Sequence, residues 1–497
     1  MSVHYQQLEK RFEEIGHFEN ILNILHWDIA CNMKEGSEKS RVQEILSLTR
    51  VIRQSLTSDE TKEWLNQAEQ EKNSLDVWQK ANLREIKAKI QDEEIVDQEL
   101  QNNFILATTQ AELAWRKARQ QNDYEMFKPY FQKVLDYVKQ IAHLRSKALN
   151  IPLYDALVVR YEPGNTVENI KQVFAVLKEE LPPLIKKVMQ KQSQNGAPLQ
   201  LSMSIEKQKE LNNKMMEKAG FNVNKGRLDE SAHPFCGGTA DDVRLTTRYD
   251  QNNFLDGFMG TMHEVGHALY EQNLPEKYKN QPVGKPRGYQ FHESQSLLIE
   301  KQVVKTKEFL TYLADFLKND MQMKDPLLTV DNLYQEVSRV QPSFIRIYSD
   351  EVTYPLHIIL RFELEEMLVN DQLTLDELPH VWNQKMKDYF GIVPNNVSEG
   401  CLQDVHWPSG YFGYFPSYLN GTMISSMLMS KIKKNNSEIK KDFTKGDFTN
   451  VNQYLNQNFR NFGSLYPADE LLKISTGENQ IDPHAFVKYL EEKYLSN

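Results

Sequence analysis

The sequence is short of several features that would place it in large protein classes. Cysteine is almost absent: Cys31, Cys236 and Cys401 are three in 497 residues, far apart and never in a Cys-x-x-Cys spacing. A disulfide scaffold is excluded, as is a cysteine pair for zinc or electron transfer. No run approaches ~18 continuous apolar residues, and the opening MSVHYQQLEKRFEEIG lacks the apolar core of a secretory signal. No membrane partner is therefore expected, and a cytoplasmic setting is. Positive charge is not in surplus either. With 59 Lys and Arg against 69 Asp and Glu, the formal charge is −10, which argues against nucleic acid as a partner, since phosphate binding needs a basic surplus. The one basic run, Lys431 to Lys445, has no interleaved aromatics for base stacking and reads as a solvated helix and loop.

Glycine (21) and proline (19) are sparse enough to permit long helices, and neither a Ser- or Gly-rich linker nor a repeat of 20 to 50 residues divides the chain. What is present is a globular composition, 40% hydrophobic and 10% aromatic, with apolar residues recurring at three and four. Phe131, Val134, Leu135, Val138, Ile141 and Ala142 form one stripe that Arg145 is expected to end. Similar stripes occupy 6 to 25, 76 to 118, 166 to 190, 294 to 318 and 356 to 369. The expected fold is all-α, one large unit or two lobes around a groove. One segment alternates instead: Asp242 to Tyr249, with Val243, Leu245, Thr247 and Tyr249 on one face, reads as a strand after a Cys-Gly-Gly-Thr turn. Asp250 to Asn253 then offer caps for a helix bearing Phe254, Phe258, Met262 and Leu269.

That helix holds the chemistry. Residues 263 to 267 read His-Glu-Val-Gly-His, so His263 and His267 share one helix face a turn apart and both imidazoles can reach one cation. Zinc with three protein ligands keeps a fourth position for water, lowers its pKa toward ~7 and polarises a substrate carbonyl. Glu264, beside the pair, is suited to take the proton from that water and pass it to a leaving amine. The preceding strand adds the means to align an extended peptide by main-chain hydrogen bonds. A third ligand is expected from Phe291-His-Glu-Ser-Gln-Ser-Leu-Leu-Ile-Glu300. Glu293 is favoured, because it opens an amphipathic helix backed by Leu297, Leu298 and Ile299; Glu300, two turns deeper, and His292 compete.

These residues fall in an ordered series: His233-Pro-Phe, Asp242-Val-Arg-Leu-Thr246, His263-Glu-Val-Gly-His267, His292-Glu-Ser-Gln295, Ile345-Arg-Ile-Tyr-Ser-Asp350 and Gly400-Cys-Leu-Gln-Asp-Val-His-Trp407. Through it the chain resembles the carboxypeptidase Taq family of metallocarboxypeptidases. His26-Trp27-Asp28 and the chain length are also similar. Ser349 departs from the usual Ala, and Ile299 with Lys301 from a frequent Trp and Asn; none of the three is a proposed ligand. The resemblance implies a nearly all-helical, saddle-like homodimer with a deep groove per subunit and a small β-sheet beside the active site. It implies zinc, sometimes cobalt, on His263, His267 and Glu293 with Glu264 as base. It also implies stepwise removal of C-terminal residues from peptides, with broad side-chain tolerance and little action after proline.

An exopeptidase must recognise a free carboxylate, for which a guanidinium fork is suited. Arg346 is the first candidate, against a structural pair with Asp350; Arg244, on what reads as an edge strand, is the second. A Tyr hydroxyl or His N–H directed at a developing oxyanion suits acyl transfer. His406 and the tyrosines of Ser409-Gly-Tyr-Phe-Gly-Tyr-Phe-Pro-Ser-Tyr418 are candidates. Tyr414 is favoured for the oxyanion and Tyr411 for the carboxylate end, by similarity of spacing to related helical metallopeptidases. His233 either lines the groove or caps a loop, and His357 reads as a core histidine. Two other functions compete: a helical oligoendopeptidase or peptidyl-dipeptidase, and a non-enzymatic scaffold with a structural metal. The scaffold is disfavoured because structural zinc is normally closed by four protein ligands and only three are found. ATP-dependent membrane proteases with the same motif are excluded, since no Gly-x-x-x-x-Gly-Lys-Ser/Thr loop is present.

Overall fold

The computed structural model describes residues 2–193 and 196–496. Helix accounts for 68% of it, with one small three-stranded sheet. Four helices open the chain: α1 (Val3–Cys31), α2 (Glu38–Thr57), α3 (Asp59–Gln70) and α4 (Val77–Ile95). Next come α5 (Gln98–Gln121), α6 (Tyr124–Leu149), the single turn α7 (Asp155–Val158), α8 (Val167–Gln192) and α9 (Ile205–Lys218). The strands β1 (Gly226–Glu230), β2 (Cys236–Thr239) and β3 (Asp242–Thr247) precede α10 (Phe254–Gln272) and α11 (Tyr289–Leu297). A π-helical stretch, Leu298–Val304, leads to α12 (Lys307–Asn319), α13 (Val330–Val337), α14 (Tyr354–Val369) and α15 (Leu378–Phe390). The chain ends through α16 (Phe415–Asn435), α17 (Ile439–Phe443), α18 (Thr449–Asn458), α19 (Ala468–Thr476) and α20 (Pro483–Leu495).

Side-chain caps delimit many of these helices. Asp76 and Gln79 form a reciprocal capping box at α4, and Asp97 caps α5, which is why the single stripe read over 76 to 118 is two helices. The stripe over 294 to 318 is likewise divided, by the π turn and by Thr306, whose hydroxyl caps α12. The apolar stripe of α6 does not stop at Arg145. That side chain is buried, its Nε donating to Ala156 O at 2.8 Å and its Nη1 pairing with Asp92, so a charged residue occupies a core position because its donors are satisfied.

Two large apolar clusters fill the body, one built mainly from α5, α6, α8, α14 and α15, the other from α9, β3, α10, α12 and α18. α16 belongs to both. Phe415, Leu419 and Met423 pack in the first, and Ile424, Leu428 and Ile432 in the second, so this helix is buried on nearly every side, with Ser417, Asn420, Thr422, Ser425 and Ser426 buried among the apolar residues.

In the sheet, β3 lies in the middle, parallel to β1 and antiparallel to β2, with Leu245 opposite both Leu228 and Cys236. This corrects the expectation of an edge strand bearing Arg244. The Cys-Gly-Gly-Thr read as a turn is itself β2; with two glycines it offers no side-chain alternation to recognise. The main chain of β3 is therefore committed on both sides, and the outer edges belong to β1 and β2. Among the described residues no helix is long and apolar enough to cross a membrane.

Candidate active site

α10 packs across β3, the hydroxyls of Thr261 and Thr247 meeting at 2.9 Å, and this contact orients the face that carries the histidines. The His263 and His267 rings stand 5.0 Å apart with planes at 81°. Glu293, from the second turn of α11, places Oε1 3.7 Å from His263 Nε2 and Oε2 3.6 Å from His267 Nε2. These three are the one group of its kind among the described residues, with donor atoms all within 4.8 Å of one another. Tetrahedral zinc with ligands at ~2.0–2.1 Å holds neighbouring donors about 3.4 Å apart, and the two histidine–carboxylate separations, 3.7 and 3.6 Å, come within a few tenths of an ångström of that spacing.

Two glycines make the approach possible. A Cβ on Gly266, inside the His-Glu-Val-Gly-His turn, would stand 2.4 Å from Gln295 O and 2.5 Å from Ser296 Cα. On the other side of α11, a Cβ on Gly421 of α16 would stand 2.7 Å from Glu293 Cβ. α11 is thus closely approached by two helices, by Gly266 at Gln295 and Ser296 and by Gly421 at Glu293 and Gln290.

Both imidazoles are oriented from behind. His267 Nδ1 lies 3.1 Å from His292 O, and His263 Nδ1 lies 3.0 Å from Glu300 Oε2. With acceptors at Nδ1, the Nε2 lone pairs are left for a cation. Glu300 therefore lies behind His263 and outside the group of converging donor atoms. Its other oxygen pairs with Lys301 at 2.7 Å and Lys305 at 2.8 Å. The π turn explains the grouping: Lys305 N donates to Glu300 O at 3.0 Å, five residues back, so residues 300, 301 and 305 share a face that an α-helix would divide. His292, the other competitor, turns its Nε2 to Glu271 at 2.8 Å and stacks on His267 at 4.5 Å.

The electrostatics suit a cation. Burial works against a charge on His263, but the Glu293 carboxylate and the Glu300 hydrogen bond together push it up to about 9. Burial raises Glu293 and is countered first by His263. Burial also acts on Glu300, yet Lys301 and Lys305 hold it well below the usual carboxylate range. Glu264, buried beside the pair, is pushed up to about 7 by burial, with His263 opposing. The set attracts a positive charge, and a metal ion must displace a proton from His263 to enter.

A second group comes from the loop that joins α15 to α16. The Tyr414 ring centroid lies 5.0 Å from Tyr161, 5.3 Å from Tyr289, 5.1 Å from Tyr418 and 5.7 Å from His406. Tyr411 is half exposed, 6.2 Å from Tyr414. Burial, then Tyr418, hold the Tyr414 phenol well above its usual range, and burial, then Arg346, lower His406 to about 3. Both are neutral near pH 7. His406 Nε2 is already engaged with the Tyr418 hydroxyl at 3.1 Å. The charge of Glu293 raises both Tyr414 and Tyr418, so the loop and the donor set are neighbours.

The remaining candidates are placed differently. Arg346 is buried, with Nε and Nη2 on Asp404 at 3.0 and 2.9 Å and Nη1 on the Tyr354 hydroxyl at 3.1 Å. Its partner is Asp404 and not Asp350, whose carboxylate accepts from Gln341, Val352 and Thr353. Arg244 clasps Asp242 at 2.6 Å and lies 4.0 Å over the Trp27 ring. His233 is exposed between β1 and β2. Sequence reasoning overlooked Asp404, Arg361 and Glu365. Arg361 and Glu365, with His357, recur every fourth residue in the otherwise apolar run of α14, a pattern that signals a buried polar face.

Two imidazoles one helical turn apart, a carboxylate from a facing helix and a buried acid beside them, all set in a helical body, define a metallopeptidase of the HExxH type. The comparisons are of one kind. The family model for the carboxypeptidase Taq (M32) metallopeptidases matches residues 7–494. Carboxypeptidase 1 of Bacillus subtilis is 33% identical over 502 residues, covering 99% of each chain. Thermostable carboxypeptidase 1 of Pyrococcus furiosus is 33% identical, covering 98% of this chain and 97% of its own. The structure of Trypanosoma cruzi metallocarboxypeptidase 1 superposes with a TM-score of 0.96 at 34% identity, covering 99% of both chains. The chain belongs to the carboxypeptidase Taq (M32) metallopeptidase family, and is a peptide hydrolase of the metal-dependent carboxypeptidase class.

Proposed function

We propose that the protein removes residues one at a time from the free C-terminus of peptides, with broad tolerance for the departing side chain and little action after proline. The convergence of His263, His267 and Glu293 carries this reading, and these three would hold zinc, with cobalt as a substitute. When bound, the ion supplies a Lewis acid that acidifies water and polarises the scissile carbonyl. Glu264 is the general base. A carboxyl pushed up to about 7 is matched to taking a proton from water and returning it to the leaving amine.

From the neighbouring loop, Tyr414 donates its hydroxyl proton as a hydrogen bond to the oxygen on which charge develops, and His406 supports it through the Tyr418 hydroxyl. Tyr411, half exposed, receives the substrate carboxylate. Arg346 adds positive field at that end, its fork being engaged by Asp404. We give Arg244 and His233 outer positions: Arg244 supports the sheet and His233 borders the entrance. Three free cysteines support action in the reducing cytoplasm, and a homodimer is part of the same reading.

The test is Glu264→Gln. It should retain the metal at full stoichiometry and lose hydrolysis of blocked dipeptides by at least about 100-fold; undiminished turnover would refute the assignment. Amidating the substrate C-terminus should remove nearly all activity of the parent enzyme, and retained activity would favour an oligoendopeptidase.

A further inference from the structure

We propose that Glu365, acting with Arg361 one turn earlier on α14, is the positioning residue that sets the loop of residues 403–414 and thereby places Tyr414, His406 and Tyr411. The inference rests on the roles assigned to those three side chains. α14 passes through the apolar core with Leu356, Ile358, Ile359, Leu360 and Leu364 fully buried around it. Two ionisable side chains there, both 0% exposed, require hydrogen-bond partners. The loop supplies two partners to each, beside His357 O for Arg361 and the Tyr154 hydroxyl for Glu365. Arg361 directs Nε to Asp404 Oδ2 at 2.6 Å and Nη2 to Gln403 Oε1 at 2.6 Å. Glu365 accepts from Trp407 Nε1 at 2.9 Å on one oxygen. Its other oxygen accepts from Gly413 N at 2.8 Å and the Tyr154 hydroxyl at 2.7 Å.

The loop has turns but no regular secondary structure between residues 403 and 414, so its course is decided by where it is tied. Four ties, at residues 403, 404, 407 and 413, run to this one helix face. The two on Glu365 bracket the segment that bears Tyr411, and the second is on the residue immediately before Tyr414. Gly413 itself has φ +83, and a Cβ there would stand 2.8 Å from Val158 N, so the loop lies flat on α7 at the point where Glu365 grips it. Trp407, itself one of the ties, also packs on Phe131 at 5.7 Å. Tyr411 is exposed and His406 and Tyr414 are partly so, as are Val405 and Ser409 beside them. A carboxylate is needed at 365, because all three neighbours are donors and an amide would turn an NH2 group toward one of them.

The variants Glu365→Gln, Trp407→Phe, Tyr414→Phe and the double variant Glu365→Gln/Tyr414→Phe test this, with kcat and KM on a blocked dipeptide read beside the metal dissociation constant from chelator competition. Displacement of a catalytic group by about 1 Å costs up to about 100-fold, so Glu365→Gln should lower kcat by about 10-fold or more with metal affinity within twofold of the parent. Adding Tyr414→Phe to it should cost less than Tyr414→Phe does alone, since both act on one function. Trp407→Phe removes one tie, keeps the charge on Glu365 and should lower kcat in the same direction; it carries the test if Glu365→Gln does not fold. Unchanged kcat in Glu365→Gln, fully multiplicative effects in the double variant, or loss of metal affinity together with kcat would overturn the proposal. If Tyr414→Phe alone is inert while Glu365→Gln slows turnover, the oxyanion assignment falls and the positioning role of Glu365 stands.

Discussion

Gly266→Ala is a small change with a large expected effect. In the middle of a helix, alanine is favoured over glycine by about 1 kcal/mol, so propensity alone calls for a more stable protein. The new Cβ, however, would meet Gln295 O at 2.4 Å and Ser296 Cα at 2.5 Å, against an ordinary carbon–carbon separation of about 3.5 Å. Relief requires α11 to move by about 1 Å, since both contacts are main-chain atoms that cannot swing aside. Overpacking of this kind costs about 1–3 kcal/mol, which exceeds the propensity gain. The donor set has less room than the core. Glu293 lies two residues before Gln295 on the moving helix, and metal–ligand distances tolerate only about 0.2 Å. We expect metal affinity to fall by at least about 10-fold, on the scale seen when groups supporting a ligand are lost. The assay is a competition titration of metal-stripped protein against a chromogenic chelator, with urea unfolding of the metal-free chain beside it. Metal affinity within twofold of the parent, with unchanged stability, would show that the backbone contact between α10 and α11 does not seat Glu293.

Glu300→Gln keeps the shape of the side chain but leaves Lys301 and Lys305 buried without their carboxylate and His263 Nδ1 without its charged acceptor; metal affinity should weaken about 10- to 100-fold, and an unchanged chelator titration would contradict the orienting role. Glu162 is buried, accepts from Asn165 and Asn420, and is pushed by burial from 4.5 to about 7. The folded chain therefore binds more protons than the unfolded one between those values, so stability falls as pH rises from 4.5 to about 7 and is flat above. Glu162→Gln escapes that loss and should be more stable than the parent by up to about 3 kcal/mol at pH 8, with the difference vanishing near pH 4.5; urea unfolding that shows the same gap at both pH values would refute it.

The parts of the site that are local in sequence were legible, and the parts made by distant pairings were not. Two histidines four residues apart on an amphipathic stripe can only share a face, and Glu293, thirty residues on, was preferred over Glu300 and His292. The reason given for it was incomplete, since α11 begins at Tyr289 and Glu293 stands in its second turn. What seats it is the close approach at Gly266 and Gly421, and a glycine in a helical pattern does not announce what it touches. The place of Glu300 behind His263 is not legible, because a seven-residue π stretch rotates the chain away from the 3.6 period that a sequence pattern reads. Arg346 pairs with Asp404, 58 positions away, and no local spacing encodes that. Arg244 was assigned to an edge because its neighbour β2 is mostly glycine, which leaves no alternation to read.

In the proposed site, two imidazoles and one carboxylate grip a single divalent ion and leave its remaining face open. Anomalous scattering from crystals of the zinc-loaded protein measures this directly. One peak is expected, about 2.0–2.2 Å from His263 Nε2, His267 Nε2 and a Glu293 carboxylate oxygen. A peak elsewhere, none at all, or a fourth side chain closing the ion would contradict it.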